Sequence, residues 1–282
     1  MATGGFHYCP DMLQEFMPVI ANAQGVNVIG AVAGNTGDGI IMARRDAGAA
    51  TVKDSGQFTI GMMFMPETLA SNLLVFPTGQ RIDDESSYMM QWGSSVTAAG
   101  FNYAYVISDA RTRNAAKDAA VAQGRAFQAN TIAELAALIN AGRFNTTGGH
   151  VMNPAVLTAT VARYNEMART GVDVDFGKPA NYLFEINQPP FFAWVGDSFM
   201  VYGSRGGLEV DTWGRVLHTN GSIIPGLFAA GELANYRVLP INYGGSGQAL
   251  TIYTAMGRLS GRAAATGVTN LNPVTDRWVV QP

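Results

Sequence analysis

Glycines and one acidic residue cluster near the C-terminal end of the sequence. A short apolar run is followed by Gly231-Glu232, then by the glycine-rich segment Tyr243–Gly247, and then by helical spacing from Gln248 onward. Glycine lets a flat ring or a phosphate approach the backbone closely. The first N–H groups and the dipole of a helix favour partial negative charge. This pattern predicts a strand, a turn and a helix start that together bind the electron-rich edge of a ligand.

Other kinds of site fit these residues less well. A glycine-rich turn before a helix is also an ordinary connection, and the residues alone leave both interpretations open. Gly244-Gly-Ser246-Gly lacks the spacing of a GxSxG serine nucleophile. The histidines at 7, 150 and 218 are far apart and have no metal-ligand spacing. We therefore expect surface or turn histidines and no metal site.

Composition narrows the class of protein. The 282 residues are 48% hydrophobic, enough to bury a substantial core. Charged residues make up only 14% and the net charge is -3, which gives no basic surface for nucleic acid. No apolar run reaches the length of a membrane span. The single cysteine, Cys9, is expected to be an ordinary small hydrophobe and fits a reducing compartment, so we predict a soluble cytoplasmic protein.

Periodicity predicts a mixed α/β chain. Thr131, with Glu134 three residues later, has the pattern of a capping box. Asn153 is a predicted cap followed by Pro154. Helices are predicted over 11–19, 40–47, 109–125, 131–141 and 153–168 and from 248, and strands over 58–65, 72–76, 101–107, 199–201, 208–210, 215–217 and 227–230.

Six segments occur in an order that resembles a known superfamily. They are Ala2–Phe6, Thr36–Gly39, Gly79–Glu85, Tyr164–Glu166, Gly206–Asp211, and the run GLFAAGE with the Gly-Gly element and the GRLSG helix end that follow it. The whole set resembles the fumarate reductase, succinate dehydrogenase and 3-ketosteroid dehydrogenase flavoproteins. The resemblance implies an FAD-dependent oxidoreductase that acts on a small-molecule substrate.

The same resemblance implies a domain organisation. Residues 1–51 and 190–282 would form parts of an incomplete Rossmann-like FAD-binding domain, and residues 52–189 an inserted substrate-capping domain. The family's N-terminal GxGxxG segment, which holds the ADP half of FAD, has no counterpart here, since residues 26–39 do not have its spacing. We expect the chain to be the C-terminal part of a longer flavoprotein, or to be completed by a separate N-terminal ADP-binding polypeptide.

The resemblance also assigns residues to the cofactor. Glu232 would contact the sugar-like chain of the flavin; without the resemblance, it would be an exposed turn carboxylate. The glycine-rich segment would place backbone N–H groups at the pyrimidine edge of the ring. The full set of implied cofactor-binding residues is Thr3, Gly4, Gly5, Gly37, Asp38, Gly231, Glu232, Gly245, Ser246, Gln248, Ala249 and Leu250.

The substrate class depends on residues that this sequence lacks. Fumarate reductases grip a dicarboxylate with arginines and a histidine, but here the corresponding segments read Asn242-Tyr243, Tyr202–Arg205 and Ser-Ser-Tyr88-Met. A tyrosine after Glu85 and the Tyr-x-Gly-x-Gly pattern at 243–247 resemble the ketosteroid dehydrogenase branch.

That resemblance implies roles for the two tyrosines and one glycine. One tyrosine, Tyr88 or Tyr243, would assist proton removal next to a carbonyl. The other tyrosine and the Gly247 N–H would polarise that carbonyl. Simple packing of both rings stays open, as does a dicarboxylate substrate held by Arg205 and Arg81.

Overall fold

The structure is a computed structural model, and it describes residues 1–21, 27–28, 33–52, 60–62, 69–87, 89–197, 199–201, 203–239, 245, 247–267 and 269. It is a mixed α/β protein, as predicted. The helices are α1 (Pro10–Phe16), α2 (Pro18–Ala21), α3 (Asp38–Ala47), α4 (Met89–Ala98), α5 (Ala115–Ala122), α6 (Ile132–Ala141), α7 (Arg143–Gly148), α8 (Pro154–Thr170) and α9 (Gln248–Thr266). The strands are β1 (Asn27–Val28), β2 (Thr51–Val52), β3 (Ile60–Met62), β4 (Leu73–Val75), β5 (Ala104–Ser108), β6 (Ala126–Ala129), β7 (Phe191–Gly196), β8 (Phe199–Val201), β9 (Gly207–Leu208), β10 (Arg215–Leu217) and β11 (Ile223–Phe228).

The largest sheet has four antiparallel strands in the order β4-β5-β7-β6. Successive side chains of a strand point to opposite faces. Tyr105 packs in one core with Leu135 of α6 and Leu157 of α8, whereas its neighbour Val106 belongs to a second core. Both faces of the sheet are therefore buried, which explains why β5 reads as a continuous apolar run.

Short strands join the two ends of the chain. Strand β8 pairs in parallel with β1 and antiparallel with β3, and β9 pairs with β2. The N-terminal amine of Met1 donates to the carbonyl of Phe228 at 2.6 Å. Residues before 63 thus lie against residues after 198. The division into domains at residues 51 and 189 stays a prediction, and the four-stranded sheet itself extends past residue 189 through β7.

Local capping signals in the sequence were accurate. Thr131 and Glu134 form the reciprocal capping box of α6. Asn153 Oδ1 accepts from the N–H groups of Ala155 and Val156 at the start of α8, and Gly171 ends that helix at φ +71°. Helix α9 begins at Gln248, as predicted.

Two element predictions were wrong, and some elements, such as α4, α7, β6 and β7, were not predicted at all. The helix over 109–125 is interrupted, because Asp109 caps a 3-10 turn (Ala110–Thr112) and α5 starts only after Asn114. The buried Asp109 carboxylate also accepts the N–H groups of Asn187 and Gln188, which fixes it away from a helix interior. The strand over 227–230 begins earlier, since β11 covers Ile223–Phe228.

Candidate cofactor site

The N-terminal glycine turn lies against the start of α3. Gly37 N–H donates to the Gly5 carbonyl at 3.1 Å. A Cβ at Gly39 would lie 2.2 Å from Thr3 Oγ1, so these two segments touch. Asp38 is exposed in the first turn of α3 and accepts a hydrogen bond from Thr36 Oγ1 at 2.8 Å. The structure therefore brings together the predicted residues of the first two segments.

Glu232 occupies a niche behind this turn. Its Oε1 accepts from the Ser204 N–H at 2.5 Å and from Ser204 Oγ at 3.2 Å. Gly5 and Gly203 leave the space it fills: a Cβ would lie 2.7 Å from the carboxyl carbon at Gly5 and 2.9 Å from Oε1 at Gly203. The side chain is only 17% exposed. Glu232 is thus not an ordinary exposed turn carboxylate.

Two polar residues that the sequence did not reveal organise this niche. Ser204 Oγ accepts the N–H of Phe6 at 3.2 Å, which ties the N-terminal turn to the segment after β8. Buried Asn235 donates to the Ser204 carbonyl at 2.6 Å and to Tyr253 Oη at 2.9 Å, and it accepts the Gly206 N–H at 2.9 Å. No motif marks Ser204, whereas Asn235 follows Glu232 by three residues in the same segment.

Glycines with positive φ lie before α9 and in the turn that holds Glu232. Gly231, Gly245 and Gly247 have φ values of +80°, +151° and +90°, and, apart from the residues adjacent in the chain, no heavy atom of the described residues lies within 4 Å of a Cβ built on them. Gly247 caps α9 without a side-chain hydrogen bond, and Leu250 in the first turn is 75% exposed. Glycines in these conformations allow a flat ligand to approach the backbone closely, and the start of a helix favours its electron-rich edge.

Some predicted site residues cannot be placed. Tyr88, Tyr243 and Ser246 lie outside the described residues. Gln248 and Ala249 are half-buried in the first turn of α9. The catalytic roles of the two tyrosines and of the Gly247 N–H stay predictions.

Arg81 is held by carboxylates of its own chain. Its guanidinium binds Glu85 through Nε at 3.0 Å and Nη2 at 2.9 Å, and Asp173 through Nη1 at 3.0 Å and Nη2 at 2.8 Å. Burial lowers the pKa of Arg81, but the hydrogen bonds to Glu85 and Asp173 outweigh it, and the net pKa is raised. The cation is thus committed to buried partners, not to a substrate carboxylate.

Arg205 is held by main-chain carbonyls. Its Nε donates to Leu239 O at 2.7 Å and its Nη2 to Tyr236 O at 3.2 Å, while the guanidinium lies 5.1 Å from the centre of the Tyr236 ring. Burial lowers the pKa of Arg205. These contacts fix the segment that leads toward the glycine-rich residues.

His7 lies in a turn, one of the two predicted settings, but it is buried and not at the surface. His7 is fully buried, and its Nδ1 lies 3.4 Å from Glu232 Oε1. His150 is half-buried between Phe101 and Tyr103, and His218 lies in a turn. Among the described residues no cluster of His, Cys, Asp and Glu is arranged to hold a metal ion. Nor does any helix in the described ranges combine the length and apolarity needed to cross a membrane.

Comparison with known proteins identifies the class. The profile of the FAD binding domain family matches residues 1–248, so the chain belongs to this family. FAD is therefore the cofactor of its family, as the sequence predicted, and the positive-φ glycines and the niche of Glu232 fit such a ligand.

Individual relatives carry two kinds of name. The chain is 29% identical over 276 residues to "Fumarate reductase (cytochrome)" of Shewanella frigidimarina, covering 94% of this chain and 45% of the relative. It is 28% identical over 270 residues to "3-oxosteroid 1-dehydrogenase" of Mycobacterium tuberculosis, covering 83% of this chain and 46% of the relative. The chain thus spans less than half the length of these curated relatives.

A solved structure supports the same fold. The 3-ketosteroid-delta4-(5alpha)-dehydrogenase of Rhodococcus jostii RHA1, solved in complex with 4-androstene-3,17-dione, matches with a TM-score of 0.68 and 25% identity. The match covers 94% of this chain and 52% of that one. The chain accordingly has the fold of part of this flavoenzyme superfamily.

Proposed function

We propose that this chain supplies the C-terminal part of the flavin site and the substrate cap of an FAD-dependent oxidoreductase. The substrate would be oxidised or reduced at a CH–CH bond next to a carbonyl. The observation that carries the proposal is the set of positive-φ glycines at the start of α9 and in the 3-10 turn that holds Glu232, a turn that packs against α9. Glycines with this conformation are typical of close backbone approach to a flat ligand.

The cofactor would be held by both ends of the chain. When bound, FAD supplies at its N5 atom the acceptor or donor of a hydride. The first turn of α9 and Gly247 provide N–H groups and a favourable dipole for the ring edge. Glu232 provides a carboxylate for hydroxyl groups of the cofactor's sugar-like chain. The other proposed contacts are Thr3, Gly4, Gly5, Gly37, Asp38, Gly231, Gly245, Ser246, Gln248, Ala249 and Leu250.

The commitment of Arg81 to carboxylates of its own chain favours a neutral substrate. A dicarboxylate in a dry pocket requires fixed positive partners. Arg81 binds two carboxylates of its own chain, and the guanidinium of Arg205 is tied to two main-chain carbonyls. This arrangement supports a ketosteroid-like or other apolar enone substrate, with Tyr88 and Tyr243 acting on the carbonyl and its neighbouring C–H.

Two alternatives keep specific support. The chain spans less than half of its curated relatives, which favours a fragment or partner subunit completed by an N-terminal ADP-binding polypeptide. Relatives named fumarate reductase match at the same level of identity as those named 3-oxosteroid 1-dehydrogenase, which leaves reduction of an unsaturated carboxylate as the other alternative.

Absorbance and a substrate panel separate these proposals. The purified chain is scanned between about 350 and 500 nm, alone and after mixing with FAD and an N-terminal ADP-binding polypeptide. Bound flavin in the chain alone contradicts the fragment alternative, and flavin bound only in the mixture supports it. Flavin in neither preparation contradicts the flavin proposal. The flavin-loaded protein is then mixed anaerobically with ketosteroids, simple enones and dicarboxylates. Turnover of dicarboxylates alone contradicts the proposed substrate class.

A further inference from the structure

His7 lies directly behind the candidate cofactor carboxylate. The imidazole is 0% exposed, and its two nitrogens face different partners. Asn35 Nδ2 lies 3.2 Å from Nε2, and an amide nitrogen can only donate, so Nε2 accepts. The ring proton therefore resides on Nδ1, which lies 3.4 Å from Glu232 Oε1. Nδ1 has no hydrogen bond of good geometry among the described residues, and the Glu232 oxygen lies within reach of a small adjustment of either side chain.

The polar contacts of the Glu232 carboxylate all involve one of its two oxygens, Oε1. Ser204 donates to Oε1 through both N–H and Oγ, and His7 Nδ1 approaches the same oxygen. Among the described residues no hydrogen bond reaches Oε2. One oxygen is thus fixed by the protein, and the other is left for a ligand. A carboxylate fixed in this way presents a directed acceptor for a hydroxyl group.

Glycines restrict the carboxylate to this position. A side chain at Gly5 would collide with Ser204 Oγ at 2.0 Å and with the carboxyl group, and one at Gly203 would collide with Oε1. The His7 imidazole lies beside the same carboxylate. We propose that His7 is a positioning residue that orients the Glu232 carboxylate toward a hydroxyl of the bound flavin cofactor. This inference rests on the proposed flavin function.

Two substitutions separate the two imidazole nitrogens. His7→Asn keeps an N–H donor the same number of bonds from Cα as Nδ1, whereas His7→Gln keeps one at the distance of Nε2. His7→Asn removes the acceptor that faces Asn35, and His7→Gln removes the donor that faces Glu232, so each variant gives up one of the two polar contacts of the imidazole. We expect FAD affinity, measured by quenching of flavin fluorescence in the full-length or reconstituted protein, to stay within about twofold in His7→Asn and to fall about tenfold in His7→Gln. His218→Gln, in a turn, is the control and should bind FAD as the parent does.

A double-mutant cycle tests whether His7 acts through Glu232. In the Glu232→Ala background no carboxylate remains to be oriented, so His7→Gln should weaken FAD binding no further. Equal losses in His7→Asn and His7→Gln, or the same loss with and without Glu232, would show that His7 only packs. Either result would overturn the proposal.

The tautomer of His7 can be measured on the parent chain without flavin. Long-range ¹H–¹⁵N correlation spectra of the parent chain, with the His7 signal assigned by its loss in His7→Asn, should show the Nδ1–H tautomer. An Nε2–H tautomer overturns the inference even if flavin binds. The Nδ1–H tautomer in a protein that never binds FAD instead contradicts the proposed function, and with it the cofactor role of this histidine.

Discussion

The proposed chemistry depends most on the hydroxyl groups of Tyr88 and Tyr243. Removing either hydroxyl by substitution with Phe should leave FAD binding intact and slow flavin reduction by substrate by roughly two to four orders of magnitude, the scale of a lost acid/base or carbonyl-polarising group. Anaerobic stopped-flow spectroscopy of the flavin-loaded protein measures this rate. If both rings only pack, Phe keeps their contacts and the rate should not change. Parental rates in both variants would defeat the tyrosine assignment.

Lys117 is a buried amine with a pH-dependent contribution to stability. Its Nζ donates to Ser108 Oγ at 2.8 Å and Thr112 Oγ1 at 2.6 Å and lies 5.1 Å from the centre of the Phe192 ring. Burial lowers the pKa of Lys117 from 10.5 to about 7. Between pH 7 and pH 10.5 the Lys117 amine binds a proton in the unfolded chain but not in the folded chain. The free energy of unfolding therefore rises with pH over this range.

The pH dependence can be isolated by substitution. We expect the free energy of unfolding of the parent, relative to Lys117→Met, to rise by up to about 1.4 kcal/mol per pH unit between pH 7 and 10. Urea unfolding at several pH values measures the difference, which cancels the titration of other groups. Lys117→Arg stays charged throughout and should be destabilised without this slope. A parent and a Met variant with parallel pH profiles would contradict the prediction.

At the scale of elements, a buried charge network joins the turn after β4 to the segment after α8. Arg81 bridges Glu85 and Asp173, and Lys178 Nζ lies 3.1 Å from Glu85 Oε2 and donates to Tyr164 Oη at 2.8 Å. All four charged side chains are nearly inaccessible. Burial raises the pKa of Asp173, but hydrogen bonds from Arg81 and from the Lys178 N–H lower it on balance. The carboxylate therefore stabilises the fold above its ordinary pKa, and this contribution is lost as pH falls through the lower folded value.

Two neighbouring aspartates test this network. Asp173→Asn should cost about 3–5 kcal/mol at pH 7, because it leaves the buried Arg81 with too little negative charge. Asp175 pairs with Arg163 at the surface, so Asp175→Asn should cost no more than about 1 kcal/mol. Chemical denaturation measures both. Similar losses in the two variants would argue that the buried network adds nothing beyond a surface pair.

The sequence predicted those elements whose signals are local. The caps of α6 and α8 require residues within a few positions, and both helices formed as expected. Helix α4 has no such signal: in its sequence, MMQWGSSVTA, the good helix formers at the ends flank a run of Gly, Ser, Val and Thr. The Thr97 hydroxyl donates to the carbonyls of Gly93 and Ser94. It is stabilised instead by tertiary contacts such as Trp92 Nε1 to the Asp84 carbonyl at 2.8 Å.

At the scale of the whole molecule, Phe6 links the two ends of the chain. It is 0% exposed, its ring lies 4.8 Å from that of Phe16, and its core includes Leu208 and Leu233. Phe6→Ala should lower the free energy of unfolding by about 3–5 kcal/mol through lost burial and a cavity. The control is Phe184→Ala. Phe184 is 39% exposed and its ring lies against the guanidinium of Arg111, so this substitution should lower the free energy of unfolding by only about 1 kcal/mol. Equal losses in a denaturation experiment would contradict the role of Phe6 in the core.

The candidate site was also predictable only in part, because some of its contacts join residues that are far apart in the sequence. Motifs identified the segments that meet, including the N-terminal glycines and Glu232. They did not reveal Ser204 or the buried state of His7, because Ser204 contacts partners 28 and 198 positions away along the chain. Such contacts arise from the fold and have no spacing that periodicity can detect. Tyr88 and Tyr243, which the family pattern marks most strongly, remain predictions.

The order of strands in the four-stranded sheet has a consequence for synthesis on the ribosome. Strand β7 lies between β5 and β6, although it follows both in the chain. At about 5–20 residues per second, the roughly 80 residues between the end of β5 and the start of β7 take about 4 to 16 seconds to emerge. Until then β5 has an open edge and β6 has no partner strand, and open strand edges attract other chains. Translation speed between residues 109 and 190 therefore governs how long a nascent chain is exposed to misassembly.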